Sequence, residues 1–175
     1  MKPGESQKVG PITDFLVKDH GRLEGLLQLA VAQVGAVDQG TYDQFRAGLL
    51  RHIGMEEKIL LPAAQRLRGG EPLPIASRLR LDHGTLATLL IPTPTAAIIA
   101  TIRGILEEHN ILEEGPGGLH EICDKLAGSE AAQLLAKLQA APELAVLPCS
   151  DSPAVMPAVL RALERAGYGF LDEKA

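Results

Sequence analysis

Residues 19–27 read DHGRLEGLL, and residues 82–90 read DHGTLATLL, so one pattern occurs twice along the chain. A looser pair of segments follows these copies, RHIGMEEKIL at 51–60 and EHNILEEGPG at 108–117. Apolar residues recur at helical spacing around all four segments. The repetition indicates that one helical hairpin is used twice, with approximate two-fold symmetry about an axis through the core.

Stretches that contain Gly and Pro divide the chain into helices and connections. The apolar spacing predicts four long helices, over roughly residues 12–36, 41–68, 73–90 and 95–114. Pro62 should kink or interrupt the second of these. Beyond them we expect a linker and three shorter helices, with the linker at 141–152 and the helices at about 119–127, 130–140 and 154–166.

The composition agrees with a helical fold. Hydrophobic residues make up 46% of the chain and aromatic residues only 3%, with no Trp, a mixture that suits helices better than sheets. We therefore predict an all-α protein, an antiparallel up-down four-helix bundle with additional short C-terminal helices. The bundle should occupy residues 1–140. Residues 141–175 should form the linker and a helix that packs on the bundle or on a second subunit of a homodimer.

The charge and the cysteine content argue against several classes of function. A net charge of −5 at pH 7 and a pI near 5.5 disfavour a nucleic-acid partner, which needs a clustered positive surface. Cys123 and Cys149 form no CxxC pair, so neither a disulfide framework nor a zinc ribbon is indicated, and Cys123 should be a small packing residue. The first residues lack an apolar leader, and no run of about 18 apolar residues occurs. We therefore expect a cytoplasmic protein with no membrane partner.

Four of the five histidines fall one per predicted long helix. Two of them are followed four residues later by a glutamate, which places both side chains on one helix face among apolar neighbours. Buried carboxylates are costly unless they are paired or bound to a metal. Imidazoles with carboxylates suit iron, manganese or zinc, and two carboxylates can bridge two ions. The predicted metal-binding residues are His20, His52, Glu56, His83, His109 and Glu113.

The pattern resembles the hemerythrin-like, or HHE cation-binding, proteins over roughly residues 12–126. The likeness rests on DH in two helices, HxxxEE in the other two, and their order along the chain. It implies a four-helix bundle with a non-haem, solvent-bridged di-iron centre, where dioxygen, peroxide or nitric oxide could bind at an open position. In that arrangement His20 and His52 bind one iron, His83 and His109 bind the other, and Glu56 and Glu113 bridge them.

One position departs from the oxygen-carrying hemerythrins, which have a second histidine one turn after the first on the third helix. This chain has Ala87 there, which weakens the case for a dedicated oxygen carrier and favours sensing, redox or iron handling. Glu24 occupies the corresponding place on the first helix. It could be a terminal ligand to the His20 metal, or a solvated surface residue.

Five further residues lie next to the predicted ligands or close to them in sequence. Asp19 and Asp82 precede histidines and cannot share their helix face, so they are either acceptors for ligand histidines on neighbouring helices or surface residues. Glu57 and Glu114 should be solvated or hydrogen-bonded to the site. His120 is predicted to be a surface or capping residue, with control of access to the site as the alternative.

Two main functions remain open at this point. The first is a di-iron protein that binds a small ligand for sensing, storage or stress protection, and the second is a peroxidase or oxidase acting through the same centre. A helical interaction module without metal is a third reading. A ferritin-like site fits less well, because such sites use ExxH and this chain uses HxxxE.

Overall fold

The computed structural model describes residues 9–171, and over this range the chain is helical with no β-strand. Residues 1–8 and 172–175 lie outside this range. The expectation that the chain has no apolar leader falls mostly on the first of these stretches. None of the helices described is both long and apolar enough to cross a membrane. In chain order the helices are α1 (Pro11–Ala30), α2 (Gln39–Met55), α3 (Leu61–Leu67), α4 (Ala76–Leu89), α5 (Ala96–Glu114), α6 (Leu119–Ala127), α7 (Ala131–Gln139) and α8 (Val155–Ala166).

The helix boundaries follow from local chemistry. Pro11 occupies the first turn of α1, where its missing N–H is not needed. Asp38 caps α2 by accepting from the backbone N–H of Thr41 at 2.7 Å, and Thr95 caps α5 by accepting from that of Ile98 at 3.2 Å. The predicted second helix is interrupted near Pro62, where a π-helical turn at Glu56–Leu60 separates α2 from α3.

The helices pack as two hairpins with additional helices around them. Helix α1 lies against α2, and α4 lies against α5. Helix α6 contacts both α1 and α5, and α8 packs along α4. The short C-terminal helices expected from the sequence are therefore present, and the last of them covers α4 within the same chain.

Two apolar clusters fill the interior. The first apolar cluster includes Leu23, Leu49, Leu86 and Ile102, with further residues from α8. The second apolar cluster includes Leu16, Met55, Leu79 and Leu119, with further residues from α3 and α7. On α1, α2, α4 and α5, histidines and carboxylates are buried between the residues of these two clusters, together with Glu56 in the π-helical turn and His120 on α6. The fold therefore contains a polar layer inside its apolar core.

Candidate metal centre

All five histidines and two glutamates are buried in this polar layer. The five rings are at most 9% exposed, and the glutamates Glu56 and Glu113 are completely buried. A charged carboxylate in such a place is costly unless a cation or hydrogen-bond donors compensate it. The layer therefore needs compensating positive charge.

Glu56 lies between a histidine of its own hairpin and one of the other hairpin. Its Oε1 atom is 3.5 Å from Nε2 of His52, one turn earlier in the chain. Its Oε2 atom is 3.0 Å from Nε2 of His83 on α4. The two oxygens of this carboxylate thus face different histidines.

Glu113 repeats the arrangement from the second hairpin. Its Oε1 atom is 2.9 Å from Nε2 of His109, and its Oε2 atom is 3.3 Å from Nε2 of His20 on α1. Each glutamate therefore directs one oxygen to the His20/His52 pair and the other to the His83/His109 pair. This is the geometry in which two carboxylates can bridge two ions.

The other ring nitrogen of each of these four histidines faces a carboxylate. Nδ1 of His52 is 2.8 Å from Asp19, and Nδ1 of His109 is 3.3 Å from Asp82. Each aspartate thus reaches a histidine on a neighbouring helix, as one of the two readings of these residues predicted. Arg22 in turn holds Asp19 at 2.8 Å. Such partners fix ring orientation in metal sites.

The two glutamates that follow the bridging positions complete the set. Glu57 lies 2.7 Å from Nδ1 of His83, and Glu114 pairs with Nδ1 of His20. Their side chains are 26% and 34% exposed, so both connect a buried ring to the surface. Glu57 and Glu114 are therefore hydrogen-bonded to the site while remaining in partial contact with solvent.

The carboxylates at the Nδ1 atoms determine which nitrogen of each ring carries the proton. A carboxylate only accepts, so Nδ1 carries the proton, and a neutral ring is left with a lone pair on Nε2. The Nε2 atoms of His20 and His52 nevertheless lie 2.9 Å apart. Among the described residues, Nε2 of His83, Oε2 of Glu56 and both carboxylate oxygens of Glu113 lack a hydrogen-bond partner. Converging acceptors of this kind fit a cation.

The electrostatics also favour added positive charge. Burial by itself lowers the pKa of His83, but the nearby carboxylates of Glu113, Glu56 and Glu57 outweigh burial and raise the pKa to about 11. The same balance of burial and carboxylates raises the pKa of His52 to about 10 and that of His109 to about 9. Burial opposes ionisation of Glu56 and Glu113, yet the imidazoles hold the pKa of both below its ordinary range. The cluster therefore binds protons strongly when no metal competes for the same positions.

The spacing of the donor atoms fits metal ions. Adjacent donors of an octahedral ion lie about 3 Å apart when the bonds are about 2.1 Å. Two groups have donor atoms that all lie within 4.8 Å of one another, Glu56, His83, His109 and Glu113 in one, and His20, Glu113 and His120 in the other. His52 lies outside both groups but beside His20. These buried residues could hold a metal ion.

Glu24 fits the surface interpretation better than a ligand role. Its side chain is 46% exposed, and it accepts a hydrogen bond from the side-chain amide of Gln28 at 2.9 Å.

The prediction that His120 is a surface or capping residue is wrong, because its ring is completely buried. It lies outside the repeat, which is why the pattern missed it. The spacing of His120, Cys123 and Ala127, which share the buried face of α6, was the available signal.

Cys123 packs in the core as predicted. It is 1% exposed, and burial raises the pKa of its thiol to about 12. A thiol with such a pKa remains protonated at neutral pH and is a poor nucleophile. The structure therefore gives this cysteine a packing role.

A π-helical turn begins at Glu56. Such turns occur often at functional sites, because one extra residue changes the direction of the side chains that follow. Here the turn begins at a predicted bridging residue, includes Glu57, and ends two residues before Pro62. The sequence predicted an interruption at the proline but not the form that it takes.

A small cavity adjoins the polar layer on the side of the first apolar cluster. Its volume is about 30 Å³, and its apolar lining comes from Leu23, Leu49, Ile53, Leu86 and Leu106. His20, His52 and His109 also reach it. A volume of this size exceeds what one water molecule requires, and it is far too small for an organic substrate.

Comparison with models of known protein families, with curated proteins and with solved structures finds no match to this chain. The likeness to hemerythrin-like proteins therefore rests on the sequence motifs and their spacing.

Proposed function

We propose that this chain is a hemerythrin-like, four-helix-bundle protein that holds two iron ions and binds a small ligand for sensing, storage or stress protection. The ligand would be dioxygen, peroxide or nitric oxide. The observation that carries the proposal is the division of each buried glutamate between two pairs of histidines. Two carboxylates in this position join two ions, whereas a single ion would leave one histidine pair without a metal.

The repeat and the packing support the bundle. Helices α1 and α2 carry one copy of the motif pair, and α4 and α5 carry the other. Each copy packs as its own hairpin, and the buried glutamates reach across to the opposite copy. A four-helix arrangement around the polar layer accounts for these contacts.

The proposed metal is iron, with manganese and zinc as the other ions that accept imidazole and carboxylate ligands. A reduced iron pair supplies electrons and an open coordination position to a small oxidising ligand. Zinc has no redox chemistry and would leave this capacity unused. The donor set by itself suits all three metals, so metal analysis is the deciding measurement.

The residues of the chain would select the ligand by size and polarity. The leucines and Ile53 give the cavity a largely apolar wall, beside Glu24 and Asn110, and its small volume would admit only molecules of a few atoms. The carboxylates at the Nδ1 atoms hold the four histidine rings in place. These features suit the binding of a diatomic molecule or a peroxide.

A di-iron peroxidase or oxidase is the second candidate. Glu57 and Glu114 favour it, because each joins a buried histidine to the solvent and could carry protons that turnover of oxygen species requires. A protein that only binds a ligand has less need for two such connections.

The test is to load the purified protein anaerobically with ferrous iron and to record metal content and the ultraviolet-visible spectrum under nitrogen and under air. We expect two irons per chain, a spectral change on exposure to air, and a higher melting temperature with iron. Steady-state consumption of hydrogen peroxide or nitric oxide would support the enzyme, and a stable adduct without turnover would support the binding protein. A chain that binds no transition metal, with unchanged spectrum and melting temperature, would contradict both.

A further inference from the structure

His120 is buried because the chain reverses sharply before it. A Cβ atom on Gly118 would lie 2.6 Å from the carbonyl oxygen of Glu113, and Gly117 has a φ of +72°. Both positions therefore require glycine, and they turn the chain back directly after α5. The first turn of α6 returns to the level of the Glu113 carboxylate, and His120 lies in that turn.

Asp124 holds α6 in this position. Its carboxylate accepts from the backbone N–H groups of Ile12 and Thr13 at 3.1 and 2.9 Å, and from the Thr13 hydroxyl at 2.6 Å. These N–H groups belong to the first turn of α1 and have no partner within that helix. Asp124 thus ties the helix of His120 to the helix of His20.

The Nε2 atom of His120 faces both bridging glutamates. It lies 3.4 Å from Oε1 of Glu56 and 3.9 Å from Oε2 of Glu113. These are the same two oxygens that face His52 and His20. The donor atoms of His20, Glu113 and His120 lie within 4.8 Å of one another. His120 therefore belongs to the His20/His52 side of the polar layer.

The second nitrogen of His120 is unsatisfied in either role of this residue, so the contact that Nε2 makes must offset its burial. Its Nδ1 atom is buried and lacks a hydrogen-bond partner among the described residues. A histidine buried only to donate to Glu56 would gain one hydrogen bond at the cost of leaving the other nitrogen unsatisfied. A bond to a metal ion offsets that cost far better.

We infer that His120 is a fifth histidine ligand, which binds through Nε2 to the ion held by His20 and His52. That ion then has three imidazoles, and the ion held by His83 and His109 has two. The inference rests on the proposed function, since it concerns one ligand of the same metal pair. His120 makes up in number for the histidine that Ala87 replaces. It would bind the His20/His52 ion, however, whereas Ala87 leaves the His83/His109 ion with one histidine fewer.

The assignment also orients the site. Leu119 and Cys123, the buried neighbours of His120 on α6, belong to the second apolar cluster, whereas the cavity is lined by residues of the first. His120 therefore closes the side of the ion pair next to the second apolar cluster, and the cavity reaches the pair from the opposite side, at His20, His52 and His109. By ligand count alone, the more open ion would be the one bound by His83 and His109.

The test is the variant His120→Gln, with Cys123→Ala as the matched control. Glutamine keeps an N–H that can donate to Glu56 but is a poor iron ligand, and Cys123 is a buried residue on the same helix that takes no part in the site. The measurements are anaerobic titration with ferrous iron, metal content, and the Mössbauer spectrum of protein loaded with ⁵⁷Fe. We expect two inequivalent irons in the wild type and in Cys123→Ala. In His120→Gln one of the two should bind at least about tenfold more weakly.

The outcomes separate the inference from the function on which it rests. Two irons with wild-type affinity and spectrum in His120→Gln would overturn the inference and leave the di-iron function standing. A wild-type chain that binds no iron would overturn the function itself. If circular dichroism shows that His120→Gln is unfolded, His120→Gly with added imidazole decides. Recovery of the second iron by imidazole would support ligation, and no recovery would contradict it.

Discussion

The two hairpins carry the same buried residues but end differently. In the first, α2 continues past Glu56 through a π-helical turn into α3. In the second, α5 stops one residue after Glu113, and a glycine-rich reversal leads into α6. In the proposed metal pair, the repeated parts would supply matched ligands to two ions, and the parts that differ would decide what lies next to each ion. Symmetry would then account for two positions, and its loss for a difference between them.

The largest expected effect is the loss of a bridge. Glu113→Gln keeps the shape of the side chain but removes the charge that joins the two histidine pairs. We expect it to lose most bound iron at both positions, and Glu56→Gln, its counterpart in the other hairpin, to do the same. Metal content per chain after anaerobic loading measures this. Retention of two irons in either variant would contradict the bridging role.

Removing one histidine from each hairpin should have a smaller, local effect. His52→Ala and His109→Ala each weaken one ion and leave the other hairpin's donors in place. We therefore expect about one iron per chain in each variant. Leu86→Ala, which removes an apolar neighbour instead of a ligand, serves as the control and should keep both irons. Equal loss of both irons in His52→Ala would show that the two positions cannot fill independently.

The pH dependence should distinguish the metal-free protein from the loaded one. In the metal-free chain the pKa values of His109, His52 and His83 are raised to about 9, 10 and 11. Their ordinary value is about 6.5, so the stability they contribute is complete below that pH and is lost as pH rises through 9 to 11. Melting temperature should therefore fall with alkaline pH in protein treated with chelator. Iron-loaded protein should not show this fall, because the metal replaces the protons.

The smallest effect should come from the aspartates behind the histidines. Asp19→Asn and Asp82→Asn remove the charged acceptors at Nδ1 of His52 and His109 while keeping similar shape. We expect each to weaken iron binding by about 10- to 100-fold without abolishing it. Equal effects of the two would extend the symmetry of the hairpins to these partners. No change in iron affinity would mean that the aspartates only compensate buried charge.

The helices were largely predictable because the repeat and the apolar spacing are properties of neighbouring residues. The long helices end within a few residues of their predicted bounds, except where Ala30 ends α1 earlier and the second helix is interrupted. The π-helical turn at Glu56–Leu60 could not be predicted, since it depends on how the chain packs around the polar layer. Pro62 indicated only that some interruption was needed.

The sequence by itself determined which residues could bind a metal pair, because spacing of four residues on a helix fixes the face that His52 and Glu56, or His109 and Glu113, share. Only the tertiary structure decided how these faces combine. The distances across the hairpins divide each glutamate between two histidine pairs, and the glycine-rich reversal brings in His120 from outside the repeat. Such contacts join residues far apart in the chain, and the packing of helices, not their periodicity, determines them.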